Sequence, residues 1–211
     1  MNNQEFLRKL EKYAQKNLEN DKTGHDYKHT KRVLKNALMI ARYYPETDRE
    51  ILIVACLLHD IAFKYGFVKK HHIIGANQAE KILKKFNFPK NEIKKVKIVI
   101  EDHVRNTTKP IRPDSKLLIE SKILVDADNL DALGEIGIRR AIRFNKILRR
   151  PKFNTKKDKF NESLYGSLKE IVTWPDKMFT LEGKRIGRKR VRVIKDFIKK
   201  LEEKDEQSRI S

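Results

Sequence analysis

The chain has 211 residues, with 49 Lys and Arg against 29 Asp and Glu, a formal net charge of +20 and one cysteine, Cys56. That length suits one ordinary domain with a sizeable core, the lone cysteine excludes an internal disulfide, and no stretch approaches the ~18 apolar residues that span a bilayer. A surface this basic attracts nucleic acid, anionic membrane or phosphorylated small molecules without choosing among them.

Apolar groups at Phe6, Leu7, Leu10, Tyr13, Ala14 and Leu18 predict a first helix over residues 4–18. The segment is charged and has no apolar signal core, so a cytoplasmic protein without a membrane partner is the expectation. A polar break from Asn17 to Gly24 leads to a second helix from near Asp26 to Tyr44, with Val33, Leu34, Ala37, Leu38, Ile40 and Ala41 as its stripe and Pro45 ending it. The third helix, from near Asp48 to Phe63, is apolar on most of its circumference and belongs at the centre of a bundle.

After a loop at Tyr65 to Lys70, helices are predicted from Ile73 to Phe86 and from Lys90 to His103, separated by Asn87-Phe88-Pro89. The Pro-containing tract Arg105 to Ser115 reads as a loop. A helix from Ser115 to Leu133 follows, then a turn around Gly134 and Gly137 and a helix from Ile138 to Leu148. Pro151 to Lys159 is a basic connector, succeeded by a helix at Ser163 to Thr173, a turn at Trp174-Pro175 and a long basic helix from Thr180 to Glu203. No run sustains strand alternation. The expected fold is all-α: a single helical domain over 1–211, with a core at about 20–150 and a C-terminal helical extension at about 160–205.

Chemistry concentrates where acids and imidazoles enter apolar runs. All six histidines, His25, His29, His59, His71, His72 and His103, lie in the first half, at predicted helix ends. His59-Asp60 closes the apolar run Ile51 to Phe63, where an ionised carboxylate must be paired, hydrogen-bonded or metal-bound. A second acidic string, Asp126-Ala127-Asp128-Asn129-Leu130-Asp131, lacks the glycine and distal glutamate of an EF-hand. Neither the zinc-protease HExxH pattern nor a GxxxxGK[ST] or GxGxxG phosphate loop occurs. Mixed imidazole and carboxylate ligation suits Mn, Fe, Co, Ni or Zn, with Mg favoured as carboxylate and water dominate.

The order His29, His59-Asp60 and then an aspartate in the 126–131 string resembles the HD-domain superfamily of metal-dependent phosphohydrolases. The stretches Gly24 to Val33, Leu57 to Ile61 and Gly134 to Ala141 carry further likeness, and Leu164-Tyr165, Met178-Phe179-Thr180, Gly183-Lys184 and Arg190 resemble one bacterial and archaeal branch. The resemblance implies a helical bundle of HD type and a divalent ion held by His29, His59, Asp60 and Asp128. The Ala-Asp-x-Leu context favours Asp128, with Asp126 the alternative. It also implies one or two ions per chain, since His71 and His103 stand where some members hold a second metal, while His25 shapes the site and His72 is the less favoured neighbour.

An ion with open positions lowers the pKa of a bound water and polarises a phosphoryl oxygen, so the expected enzyme cleaves a phosphomonoester or pyrophosphate bond of a small phosphorylated metabolite, a nucleotide foremost. Asp60 would orient the water. Lys64, four residues after Asp60 and so on the same helix face, is the expected catalytic cation. Arg32, Lys64, Arg140, Lys184 and Arg190 are expected to bind substrate phosphates. The alternatives are a basic nucleic-acid-binding protein or nuclease of HD type, and a non-catalytic sensor that keeps the metal for structure.

Overall fold

A computed structural model describes residues 2–65, 70–104, 113–153 and 162–210, with side chains described up to residue 207. The described residues are helical and contain no strand. They form two compact units, Met1–Asp128 and Asn129–Ser211. Expected loops at residues 66–69 and 105–112, and the connector at 154–159, lie outside the described residues.

In the first unit, α1 (Asn3–Leu18) is capped by Asn2, whose side chain accepts from the Glu5 amide at 2.8 Å, and buries Phe6, Leu10, Ala14 and Leu18. An Asn cap of this kind satisfies one of the orphan donors of a helix start and contributes about 1 kcal/mol. Asp26 does the same for α2 (Tyr27–Ala41), accepting from the His29 amide at 2.8 Å, and so places His29 in the first helical turn.

α3 (Arg49–Leu58) starts at Asp48, which accepts from the Ile51 amide, and buries Ile51, Leu52, Val54, Ala55, Cys56, Leu57 and Leu58. Each large aliphatic among them contributes about 1.5–3 kcal/mol by leaving water. The core is built around this helix, which packs against α1, α2 and α5 (Lys90–Asp102). α4 (His71–Lys85) runs along α5, and α6 (Ile119–Asp131) supplies buried Ile123, Leu124 and Val125.

α3 is shorter than the sequence suggests. It stops at Leu58, and the chain tightens into a 3-10 turn, Ile61–Tyr65, through a 2.9 Å bond from the Phe63 amide to the Asp60 carbonyl. The apolar run continues through both, because hydrophobicity marks burial and does not separate i→i−4 from i→i−3 bonding. α4 begins two residues before its predicted start, so His71 and His72 occupy its first turn.

In the second unit, α7 (Gly134–Ile147) begins at Gly134 rather than at Ile138. Gly137 lies inside it, where a Cβ would overlap the Ala132 carbonyl. α8 (Leu164–Lys177) runs through Trp174-Pro175, where a turn is predicted, and α9 spans Leu181–Ile210. Pro175 has no N–H to give the Ile171 carbonyl, and the helix ends two residues after it. Among the described residues no helix is long and apolar enough to cross a membrane.

Candidate metal centre

Six side chains from helix ends meet inside the first unit. His29 comes from the first turn of α2, His59 and Asp60 from the break after α3, His71 from the start of α4, His103 from the C-cap of α5 and Asp128 from the last turn of α6. His29, His59 and Asp60 are all at most 2% exposed. Ending α3 at Leu58 matters here: on a continuing α-helix adjacent side chains diverge by ~100°, whereas at the break His59 and Asp60 both turn inward.

The Asp60 carboxylate is the shared element. Its Oδ2 lies 3.3 Å from His29 Nε2 and 3.2 Å from His59 Nε2, and its Oδ1 lies 3.9 Å from His71 Nε2 and 3.8 Å from His103 Nε2. Asp128 Oδ1 stands 3.3 Å from His29 Nε2. Two groups result, His29 with His59 and Asp128, and Asp60 with His71 and His103, each with its ligand atoms within 4.8 Å of one another and able to hold a metal ion. Donors around an ion at ~2.0–2.3 Å stand roughly 3–4.5 Å apart, which matches these spacings.

The orientation of the donors fits the same purpose. His59 Nδ1 donates to the Cys56 carbonyl at 2.8 Å and His103 Nδ1 to the Ile100 carbonyl at 2.6 Å. A carbonyl can only accept, so each ring carries a proton on Nδ1 and leaves Nε2 as the nitrogen available to a metal, the arrangement of metal-binding imidazoles. His59 Nε2, His103 Nε2 and Asp60 Oδ2 are buried without a hydrogen-bond partner. Buried polar atoms left this way cost about 1–3 kcal/mol each, and a shared cation satisfies them together.

Electrostatics divides the cluster. Burial opposes ionisation of Asp60, yet the charges of His59 and His25 and the nearby His29 ring hold its carboxyl well below the usual range. Burial equally opposes protonation of His59, but Asp60 lifts it above its ordinary value. Asp128, which is half-buried, is kept low by His29. On the other side burial lowers His71, and burial reinforced by His59 and His71 pushes His103 down to about 3. The latter two rings are therefore neutral at working pH, as ligands must be.

The structure treats the remaining sequence candidates differently. Asp126 is fully buried but stands in neither group. His25 stacks on Phe63, with ring centroids 3.9 Å apart, and bonds Thr23 through Nδ1. His72 is outside both groups. The α-helical premise for Lys64 fails: it lies on the 3-10 turn, its ammonium 4.8 Å from the Tyr65 ring centroid and 6.0 Å from that of Tyr13. Arg32 is half-buried on α2. In the second unit Arg140 donates to Asp131 at 2.6 Å, Arg190 donates to the Leu130 carbonyl at 2.8 Å, and Lys184 is half-buried in the first turn of α9.

A family model described as HD domain matches residues 26–133, just over half of the chain. The chain belongs to the HD-domain family. It is accordingly a metal-dependent phosphohydrolase, and its all-α fold is the one the sequence predicts. Similar solved structures include an HD-superfamily hydrolase from Bacillus thuringiensis, 26% identical over 95% of this chain and 97% of that one, TM-score 0.71. A Listeria innocua protein is 25% identical over 96% of each chain, TM-score 0.74. Bacillus subtilis YpgQ in complex with ADP is 23% identical over 94% and 97%, TM-score 0.73. Comparison with curated protein sequences found no match.

Sequence reasoning missed the residues that hold this HD site in place. Asn36, two turns after His29 on α2, donates from Nδ2 to the Ala127 carbonyl at 3.1 Å, beside Asp128. Ser121 Oγ on α6 donates to Asp102 Oδ2 at 3.0 Å, beside His103. A polar residue interrupting the stripe Val33-Ala37-Ile40 was the available signal for Asn36, since a buried amide needs a partner. Gly75 is a further one: a Cβ there would sit 3.0 Å from the His59 carbonyl oxygen. Gly75→Ala is expected to push α4, and His71 with it, away from His59. Metal affinity should fall about 10–100-fold, as for other outer-shell changes, and stability by about 1–3 kcal/mol from overpacking. Calorimetric metal titration and thermal melting check both.

Proposed function

We propose that this HD domain hydrolyses a phosphomonoester or pyrophosphate bond of a nucleotide, with His29, His59, Asp60 and Asp128 holding one divalent ion and Asp60, His71 and His103 a second. The observation that carries the reading is the shared Asp60 carboxylate, one oxygen facing each histidine group. When bound, such ions supply Lewis acidity toward a phosphoryl oxygen and make a water nucleophilic near neutral pH.

The protein's own part is positional and electrostatic. The carbonyls of Cys56 and Ile100 fix the tautomers of His59 and His103. Asp60, kept ionised by its imidazole neighbours, supplies negative charge to both groups and is the acceptor toward which a nucleophilic water would be oriented. His29, His59, Asp60 and His103 are buried, where electrostatic interactions are stronger than in bulk solvent. Arg32, one turn after His29 on α2, is a cation on the same helix as a proposed ligand and is the proposed phosphate contact of this site.

The nucleotide assignment is supported by the +20 charge, which draws phosphorylated ligands, and by YpgQ, a protein of the same fold whose structure is a complex with ADP. The test is a titration of metal-free protein with Mn, Co, Ni, Mg and Zn against a panel of nucleotides. Turnover restored by at least one metal, and absent from His59→Ala, is the expected result. Wild type and variant behaving alike with every metal would sink the proposal.

A further inference from the structure

We infer that a groove on the first unit, separate from the histidine cluster, is a binding site for a nucleoside phosphate. It is a cavity of about 530 Å³ lined by Tyr13, Lys64, Tyr65, Lys81, Lys84 and Lys85, among others. No carboxylate lines it among the described residues. The volume falls within the roughly 300–1,000 Å³ typical of small-molecule sites, which fits one nucleotide rather than a long polymer.

Among the described residues two of the lining lysines, Lys81 and Lys85, have no ion-pair partner. Lys84 is paired with Glu80 at 2.7 Å, but Lys81 and Lys85 stand four apart on one face of α4, where like charges repel. An anion seated between them relieves that repulsion and gains charge-assisted hydrogen bonds. Lys64 adds a third ammonium, held over the Tyr65 and Tyr13 rings by cation–π attraction. This is where the lysine expected in the catalytic centre is placed.

The aromatic half of the ligand follows from Tyr65, which is 62% exposed beside these lysines. An exposed ring next to several ammonium groups is a platform for a base attached to phosphate. A free phosphate would use only the lysines and an apolar ligand only the rings; a nucleoside phosphate uses both.

The site is separable from the hydrolytic reading because its ligand needs no metal. Binding of ADP, adenosine and ribose 5-phosphate to the full-length, metal-free protein would be measured by calorimetry. ADP is expected to bind, and to bind more tightly than ribose 5-phosphate or adenosine. Lys81→Glu with Lys85→Glu should weaken ADP by about tenfold or more, and the neutral pair Lys81→Gln with Lys85→Gln should do so to a smaller degree with the fold retained by circular dichroism. Tyr65→Ala should weaken ADP and leave ribose 5-phosphate unchanged, whereas Asp60→Asn should leave ADP binding intact. Equal ADP affinity in wild type and both lysine variants, or loss of binding in Asp60→Asn, would overturn the assignment. So would a single-stranded oligonucleotide displacing ADP with a steep salt dependence, which would make the groove a nucleic-acid contact. With metal absent throughout, a negative result removes the groove and leaves the hydrolytic reading standing.

Discussion

Asp60→Asn is expected to lose metal-dependent hydrolysis by more than about 100-fold, because substitution of even an outer partner of a metal ligand costs 10–100-fold and Asp60 faces both groups directly. The amide keeps the size of the carboxylate but removes the charge that attracts the ions, and it presents one acceptor oxygen where the carboxylate presents two. Oδ1 and Oδ2 of Asp60 each lie within 4 Å of two imidazole nitrogens, so either rotamer of the amide faces one histidine pair with donor protons. Steady-state rates with saturating metal and metal content per chain are the two readouts. His103→Ala provides the contrast: it belongs to the group with Asp60 and His71 and not to the other, so it should lower the bound metal while the His29, His59 and Asp128 group still takes up its ion. A variant at Asp60 with wild-type rate and metal content would exclude the shared-carboxylate site.

Metal addition should stabilise the protein, and the gain should grow with pH. At a free metal concentration 100 times the dissociation constant the stabilisation is about 2.7 kcal/mol, or roughly 5–11 °C in melting midpoint for a chain of this size. The pH dependence follows from His59. Its raised pKa means that pairing with Asp60 stabilises the metal-free chain below the unfolded value and is lost as pH rises through the folded one. The incoming ion displaces that proton, so the metal-induced shift is smaller at pH ~6 than at pH ~8. His71 and His103 act in the other sense: with their values lowered, the unfolded chain binds the protons, and the metal-free protein loses stability as pH falls below the ordinary histidine value. Melting curves with and without metal at several pH values measure both effects. A midpoint indifferent to every metal tried would show that the cluster does not bind one.

How much of the site was legible depended on how local its determinants are. His29 could be placed near a helix start because the second helix begins near Asp26, and the structure adds that Asp26 caps it, a relation contained within one turn. His59-Asp60 drew notice as polar residues closing an apolar run, but their joint inward orientation required α3 to end at Leu58, and no local pattern separates that from a longer helix. The same break sent Lys64 to the tyrosines. Asp126 and Asp128 are equivalent by composition, yet two positions along a helix differ by ~200° in direction. Which of them meets His29 was set by how α6 docks, through contacts such as Asn36 to the Ala127 carbonyl, 91 residues apart in sequence. Arg140 and Arg190 read as free cations from sequence because Asp131 and the Leu130 carbonyl become their partners only through packing within the second unit.

By itself the sequence determined the helices, the apolar faces that bury them and the inventory of imidazoles and carboxylates at their ends. These follow from periodicity and capping, which act within a turn or two. Only the tertiary structure decided that the inventory forms two groups around one carboxylate with donor atoms within 4.8 Å. Such convergence depends on where the ends of separate helices meet. An error of one helical position turns a lone pair by ~100°, so a donor set can be named from sequence while its geometry is settled by packing.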